Sequence, residues 1–267
     1  MKMKQYKSQV VFLIAATVFL GITFLPLFAN ERTLDTFARE DGIVENLTAI
    51  YLLVTSLLFA AGFFRFRSSA WLLRLSYLGL ALLFFLGAGE EISWGERIFG
   101  WTEQNFIRER NVQGELTLHN LEYFQGDDSL LPISISQLFI AFTFVFAVLI
   151  PLVCMLLPKL GSFVAARFPV MPLYPGLLVV ITYVLQKSML RILPMFPALY
   201  QHTSMPIPQG VHEIREHGYT FALLASAIIY FSRERANKAE SSRETQGDLT
   251  GPSSIMAVRI DNEGDKI

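Results

Sequence analysis

The chain has 267 residues, 52% hydrophobic and 17% charged, with a formal net charge of -1 and a mean hydropathy of +0.42. A water-soluble domain carries about 25% charged residues, so this composition excludes an ordinary soluble fold. No basic tract of the kind nucleic-acid binding needs is present, and a single cysteine, Cys154, excludes an intramolecular disulfide and a Cys-rich zinc site.

The apolar residues come in long blocks, which predicts an all-α polytopic membrane protein with about six transmembrane helices. The first predicted span is Val10–Phe28, after Lys2, Lys4 and Lys7. It exceeds the roughly 7–15 apolar residues of a cleaved signal, and Leu27-Phe28-Ala29 is a poor cleavage site, so it is read as a retained span. The others are Leu47–Phe64, Leu72–Gly89, Ile133–Leu157, Tyr174–Leu190 and Tyr219–Phe231. Gln186, Lys187 and Arg191 crowd the end of the fifth, and the sixth is short. Residues 1–232 thus form the membrane domain. Residues 233–267 are rich in Ser, Gly and charge, and too poor in apolar surface to fold alone, which predicts a disordered tail.

Loop charge sets the expected orientation. With the N-terminus in the cytoplasm, the inner side carries Lys2, Lys4, Lys7, Arg65, Arg67, Arg74, Lys159, Arg167 and the basic residues of the tail. An even number of spans returns the C-terminus to the same side. Most acidic residues, and all of His119, His202, His212 and His217, then fall in the outer loops. The side chains able to bind metals or move protons gather on the extracytoplasmic face.

Three outer segments carry the candidate chemistry. In GAGEEISWGERIFGW, Glu90 and Glu91 end the third span, and Trp94, Ile98 and Trp101 share one helical stripe. Trp favours the membrane interface, so the helix is expected to leave the bilayer and continue as an interfacial helix. In NVQGELTLHNLEYF, Glu115 and His119 stand one turn apart, a workable metal-ligand spacing. In VHEIREHGYTF, His212 and Glu216, and Glu213 and His217, make two i, i+4 pairs leading into the sixth span. Imidazole and carboxylate together suit Zn²⁺ or Mn²⁺. Glu40, Asp41 and Glu45 add carboxylates at the same depth, with Arg97, Arg108 and Arg215 as counter-charges. Asn46-Leu47-Thr48 matches a glycosylation acceptor but abuts a span.

The segments EEISWGERIFGW, NVQGELTLHN and EDGIVE resemble the signature of an uncharacterised bacterial family of multi-pass membrane proteins. That resemblance covers most of residues 30–232 and implies the cytoplasmic (inner) membrane, without an activity. A remoter one is to the CAAX-protease and bacteriocin-processing membrane proteases, whose Glu-Glu and Arg motif Glu90, Glu91 and Arg97 would match, with His119 or His212 later. The spacing departs from theirs, with five residues between Glu91 and Arg97.

Two functional expectations follow. In the first, Glu90, Glu91 and Arg97 are catalytic, and Glu115, His119, His212, Glu213, Glu216 and His217 hold a divalent metal. The activity is then a hydrolase or transferase acting on a lipid-linked or membrane peptide substrate at the bilayer surface. In the second, the protein is a non-catalytic accessory or transport-associated subunit that docks through its outer loops and tail.

Overall fold

Inside a bilayer no water pairs backbone N–H and C=O groups, so a chain this apolar is driven to helices, which pair them internally. A computed structural model describes residues 2–28, 31–38, 42–66, 70–100, 117, 134–196 and 207–249, and among them there are helices and no strand. The helices are α1 (Lys2–Phe24), α2 (Glu31–Ala38), α3 (Ile43–Arg65), α4 (Trp71–Glu91), α5 (Glu96–Phe99), α6 (Ile135–Leu156), α7 (Pro158–Ala165), α8 (Leu173–Ile192) and α9 (Ile207–Leu249). The chain divides into two compact units, Met1–Ile228 and Ile229–Ile267, with the boundary inside α9.

Among the described residues, five segments are long and apolar enough to cross a membrane: Gln9–Phe28, Thr36–Arg65, Trp71–Glu91, Ile135–Leu156 and Leu173–Met195. Exposed apolar rows run along these helices, such as Ile50, Leu53 and Leu57 on α3 and Leu177, Ile181 and Val184 on α8. Their i, i+3, i+7 and i, i+4, i+7 spacing places each row on one face, as fits a bundle solvated by lipid.

The predicted sixth span, Tyr219–Phe231, is helical but is not one of the five. The reason is its place in the bundle. Tyr219, Thr220, Ala222, Leu223, Ser226 and Ala227 are all buried. Phe221 stacks on Phe19 of α1 at 3.9 Å, His217 meets Thr48 of α3, and Tyr219 faces Phe139 of α6. Gly218 lies so close to α8 that a Cβ there would come 2.5 Å from Thr182 Cγ2. A helix enclosed by protein on several sides does not need the apolar coat of a lipid-facing one. Small and hydroxylated residues favour such close helix packing.

α3 and α4 pair as a hairpin, which brings their polar ends together. Its lining is aromatic: Phe59 lies 5.7 Å from Phe84 and 6.2 Å from Tyr77, and Phe146 of α6 closes on Phe84 at 6.3 Å. α6 starts from a capping box, in which Ser134 Oγ accepts from the Gln137 N–H and the Gln137 side chain accepts from the Ser134 N–H. Its middle widens into a π turn at Val145–Leu149, directly before Pro151. Pro151 has no N–H to offer the carbonyl of Ala147 four residues back. Gly176 of α8 sits against that carbonyl, and a Cβ there would overlap the Ala147 oxygen.

Two expectations are corrected. The third span does not continue as an interfacial helix. α4 stops at Glu91, and Ser93, Trp94 and Gly95 follow with φ of 46°, 55° and 77°. Three residues at positive φ in succession break the right-handed helical path, and in the described stretch that follows there is the single turn α5, ended by Gly100 at φ 65°. Trp101 lies outside the described residues. Nor does disorder begin at residue 233, since the backbone stays helical to Leu249. The segment RERANKAESSRE is dense in Ala, Glu, Arg and Lys, strong helix formers, and Glu234 and Lys238 stand at i, i+4. Extending an existing helix also avoids the unfavourable nucleation step. Residues 250–267 lie outside the described residues.

Candidate functional site

The α3–α4 hairpin puts the start of α3 beside the end of α4. α9 enters the bundle at the same end, because its residue His217 already packs against Thr48 and Tyr51 of α3. Carboxylates from three helices therefore meet. Glu91 lies within electrostatic reach of Glu216 and Glu213 on α9, Glu45 on α3 and Glu90 on α4.

These carboxylates are held differently. Glu90 accepts a 2.7 Å hydrogen bond from the indole N–H of Trp94. The left-handed turn produces this contact by folding the Trp94 ring back over Gly89, where a Cβ would lie 2.9 Å from the ring. Phe85 meets the same indole edge-on at 6.3 Å. Trp94 thus acts as a clasp on its own helix end. Two non-glycine residues at positive φ are each strained, and the bond to Glu90 together with the ring packing offsets that strain.

Glu216 is fixed by Arg215 and Ser136. An Arg215 guanidinium N–H donates to Glu216 at 2.6 Å and to Ser136 Oγ at 3.2 Å, and Ser136 Oγ donates to Glu216 at 3.0 Å. Arg215 is 5% exposed. A buried guanidinium needs a carboxylate close by, and Arg215 meets that need as the counter-charge expected from sequence. Glu91 is half-buried and makes no hydrogen bond to any described residue. Its charged neighbours among the described residues are all carboxylates.

The histidine pairs separate. His217 is 2% exposed, with its Nδ1 3.2 Å from Thr48 Oγ1 and its ring between Phe19 and Tyr51, each at 5.1 Å. It is a packed and hydrogen-bonded core residue, and among the described residues no group of three metal-ligating side chains joins it with Glu213. The i, i+4 rule puts two side chains on one face but leaves their rotamers to their neighbours. His212 keeps much of its surface exposed. Loss of solvent around part of its ring pushes its pKa down, the Arg215 and Lys187 charges push the same way, and Glu216 opposes them.

Among the described residues no three His, Cys, Asp or Glu side chains are placed to hold a metal. The expected Zn²⁺ or Mn²⁺ set of His212, Glu213, Glu216 and His217 is therefore not gathered. Glu115, His119, Glu40 and Asp41 lie outside the described residues, and Arg97 lies on α5. In the acceptor pattern at Asn46, Thr48 is 1% exposed and hydrogen-bonded to His217, so its hydroxyl is engaged in the packing. The Asn46 amide itself donates to the Gly42 carbonyl at 2.9 Å.

Sequence reasoning missed Thr48 and Ser136. Thr48 stands three residues after Glu45, on the same face, a signal that could have been read. Ser136 carries no such signal, since it matters only because α6 lies against α9. No protein-family model, curated protein or solved structure matches the chain. The site's chemistry rests on its own geometry.

Proposed function

We propose that this is an integral membrane hydrolase or transferase whose acid–base residue is Glu91, acting at the extracytoplasmic end of the bundle on a lipid-linked or membrane peptide substrate. The observation that carries this reading is the contrast within the cluster. Glu90 is engaged by Trp94 and Glu216 by Arg215, while Glu91 has no hydrogen-bond partner among the described residues. Among the described residues, the charged neighbours that act on Glu91 are all carboxylates, and this excess of negative charge must be balanced by protons or a cationic group. A carboxyl group that exchanges a proton readily is what general acid–base catalysis uses. Glu90 and Trp94 position the end of α4, and Arg215 with Ser136 positions Glu216.

The placement beside apolar, exposed helix faces supports a substrate that arrives in the plane of the membrane. The loop charges support the orientation. Arg65 and Arg74 lie toward the end of the α3–α4 hairpin opposite Glu45 and Glu91, as expected if that end is cytoplasmic. α9 then crosses as the sixth span inside the bundle and returns the C-terminus to the cytoplasm.

The test compares lipid and membrane-peptide extracts, by mass spectrometry, from bilayer-reconstituted protein incubated with membranes of its host. Wild type is expected to convert at least one component. Glu91→Gln, which keeps shape and removes the proton site, should slow that conversion by about 10²-fold or more. Unchanged turnover in Glu91→Gln, or no component converted by wild type, refutes the reading.

A further inference from the structure

From the Arg215–Glu216 pair inward, several buried polar atoms have no partner among the described residues: Arg215 Nε, Gln186 Oε1, Thr182 Oγ1 and Thr143 Oγ1. Gln186 is 1% exposed, and Thr182 and Thr143 are each fully enclosed at 0%. They come from three helices, but the packing brings the helices together. α8 and α9 run antiparallel, since Thr182 abuts Gly218 while Leu193 packs in the same cluster as Val211 and Ile214. Gln186 lies one turn from Thr182 toward the Leu193 end, which sets it level with Ile214–Glu216. Its neighbour Lys187 lies close enough to His212 for their charges to interact, which agrees with this register. On the third side, Ser136 touches Arg215 and Phe139 faces Tyr219, so Thr143, one turn further along α6, continues the same line.

A buried polar atom left without a partner costs about 1–3 kcal/mol, and lipid offers none. The unpartnered set includes one obligate donor, the Arg215 N–H, one obligate acceptor, the Gln186 oxygen, and two hydroxyls that serve as either. No single ion suits that mixture, because a cation would be repelled by Arg215 and an anion by the Gln186 oxygen. Water serves both, and buried waters characteristically bridge such groups.

We propose that the seam between α6, α8 and α9 is a water-filled path that leads from the Arg215–Glu216 pair into the bundle, lined by Gln186, Thr182 and Thr143. It rests on the packing alone. Where the reading of Glu91 also holds, the path supplies that site with water or a route for its proton. The two claims fail separately, because hydration of the seam is measured without any turnover.

The test is cysteine accessibility in membranes, on a Cys154→Ala background. Only the thiolate reacts with a charged, water-soluble methanethiosulfonate, and it hardly forms in apolar surroundings, so Gln186→Cys should react at least about tenfold faster than Val184→Cys on the exposed row of α8. Thr182→Cys should react at a rate between these two, as the deeper position. If Gln186→Cys is not produced in folded form, judged by its elution profile, Thr182→Cys is read against Val184→Cys in its place. A folded seam variant that reacts no faster than Val184→Cys overturns the proposal.

Discussion

Replacing Arg215 by methionine removes the guanidinium and keeps most of the apolar stem. Glu216 then loses its 2.6 Å partner and remains near Glu91 with Glu213, Glu45 and Glu90 about the same centre. Removing one member of a buried ion pair typically costs about 3–5 kcal/mol, because a charge is left uncompensated. Glu216 keeps 24% of its side-chain surface, so water recovers part of that loss, and about 2–4 kcal/mol is expected. For a domain of this size each kcal/mol moves Tm by roughly 2–4 °C, so thermal unfolding in detergent should fall by roughly 5–15 °C. The decisive comparison is with Arg215→Met combined with Glu216→Gln, which removes the stranded charge. The double variant should be more stable than Arg215→Met alone, a coupling that independent sites do not show. A single variant within about 0.5 kcal/mol of wild type, or a second substitution that only adds to the loss, would refute the reasoning.

Gly176→Ala should be destabilising by about 1–3 kcal/mol, the usual effect of overpacking, because its Cβ would overlap the Ala147 backbone oxygen. Gly21→Ala, whose Cβ meets nothing within 4 Å, is the control and should be neutral or better in the same melting assay. His212, whose pKa is held low chiefly by partial burial and by Arg215, should titrate below the free imidazole value of about 6.5 when followed by NMR. A lowered histidine pKa means the unfolded chain binds more protons. The stability from this group is therefore complete above about pH 6.5 and is lost as pH falls through the folded pKa. A normal or raised His212 pKa contradicts the assignment, and Arg215→Met should move it upward.

The helices were legible because their cause is local. Apolar blocks of spanning length dictate helix in lipid whatever surrounds them, and four of the six predicted spans coincide closely with segments of crossing length and hydropathy. Glu90, Glu91, Glu213 and Glu216 could be picked as site candidates because an ionisable group at a span end is uncommon. Arg215 could be picked as a counter-charge by proximity in sequence. The Ser93–Trp94–Gly95 turn was not legible, since Ser and Trp rarely adopt positive φ and a helical stripe through Trp94 and Trp101 was the simpler extension. What forces the turn is the bond from Trp94 to Glu90 and the absence of a Cβ at Gly89, a contact across five residues that no periodicity encodes.

By itself the sequence determined which apolar blocks form helices long enough to cross a membrane, because that follows from composition along one dimension. Only the tertiary structure decided which ionisable groups meet. It sent His217 to Thr48 and the aromatic rings, tied Glu216 to Arg215 and Ser136, and left Glu91 without a hydrogen-bond partner among the described residues. Each outcome depends on which helix lies beside which. That is fixed by the packing of small residues such as Gly176 and Gly218 against neighbouring backbone and side chains, and the spacing of residues along a single helix does not record it.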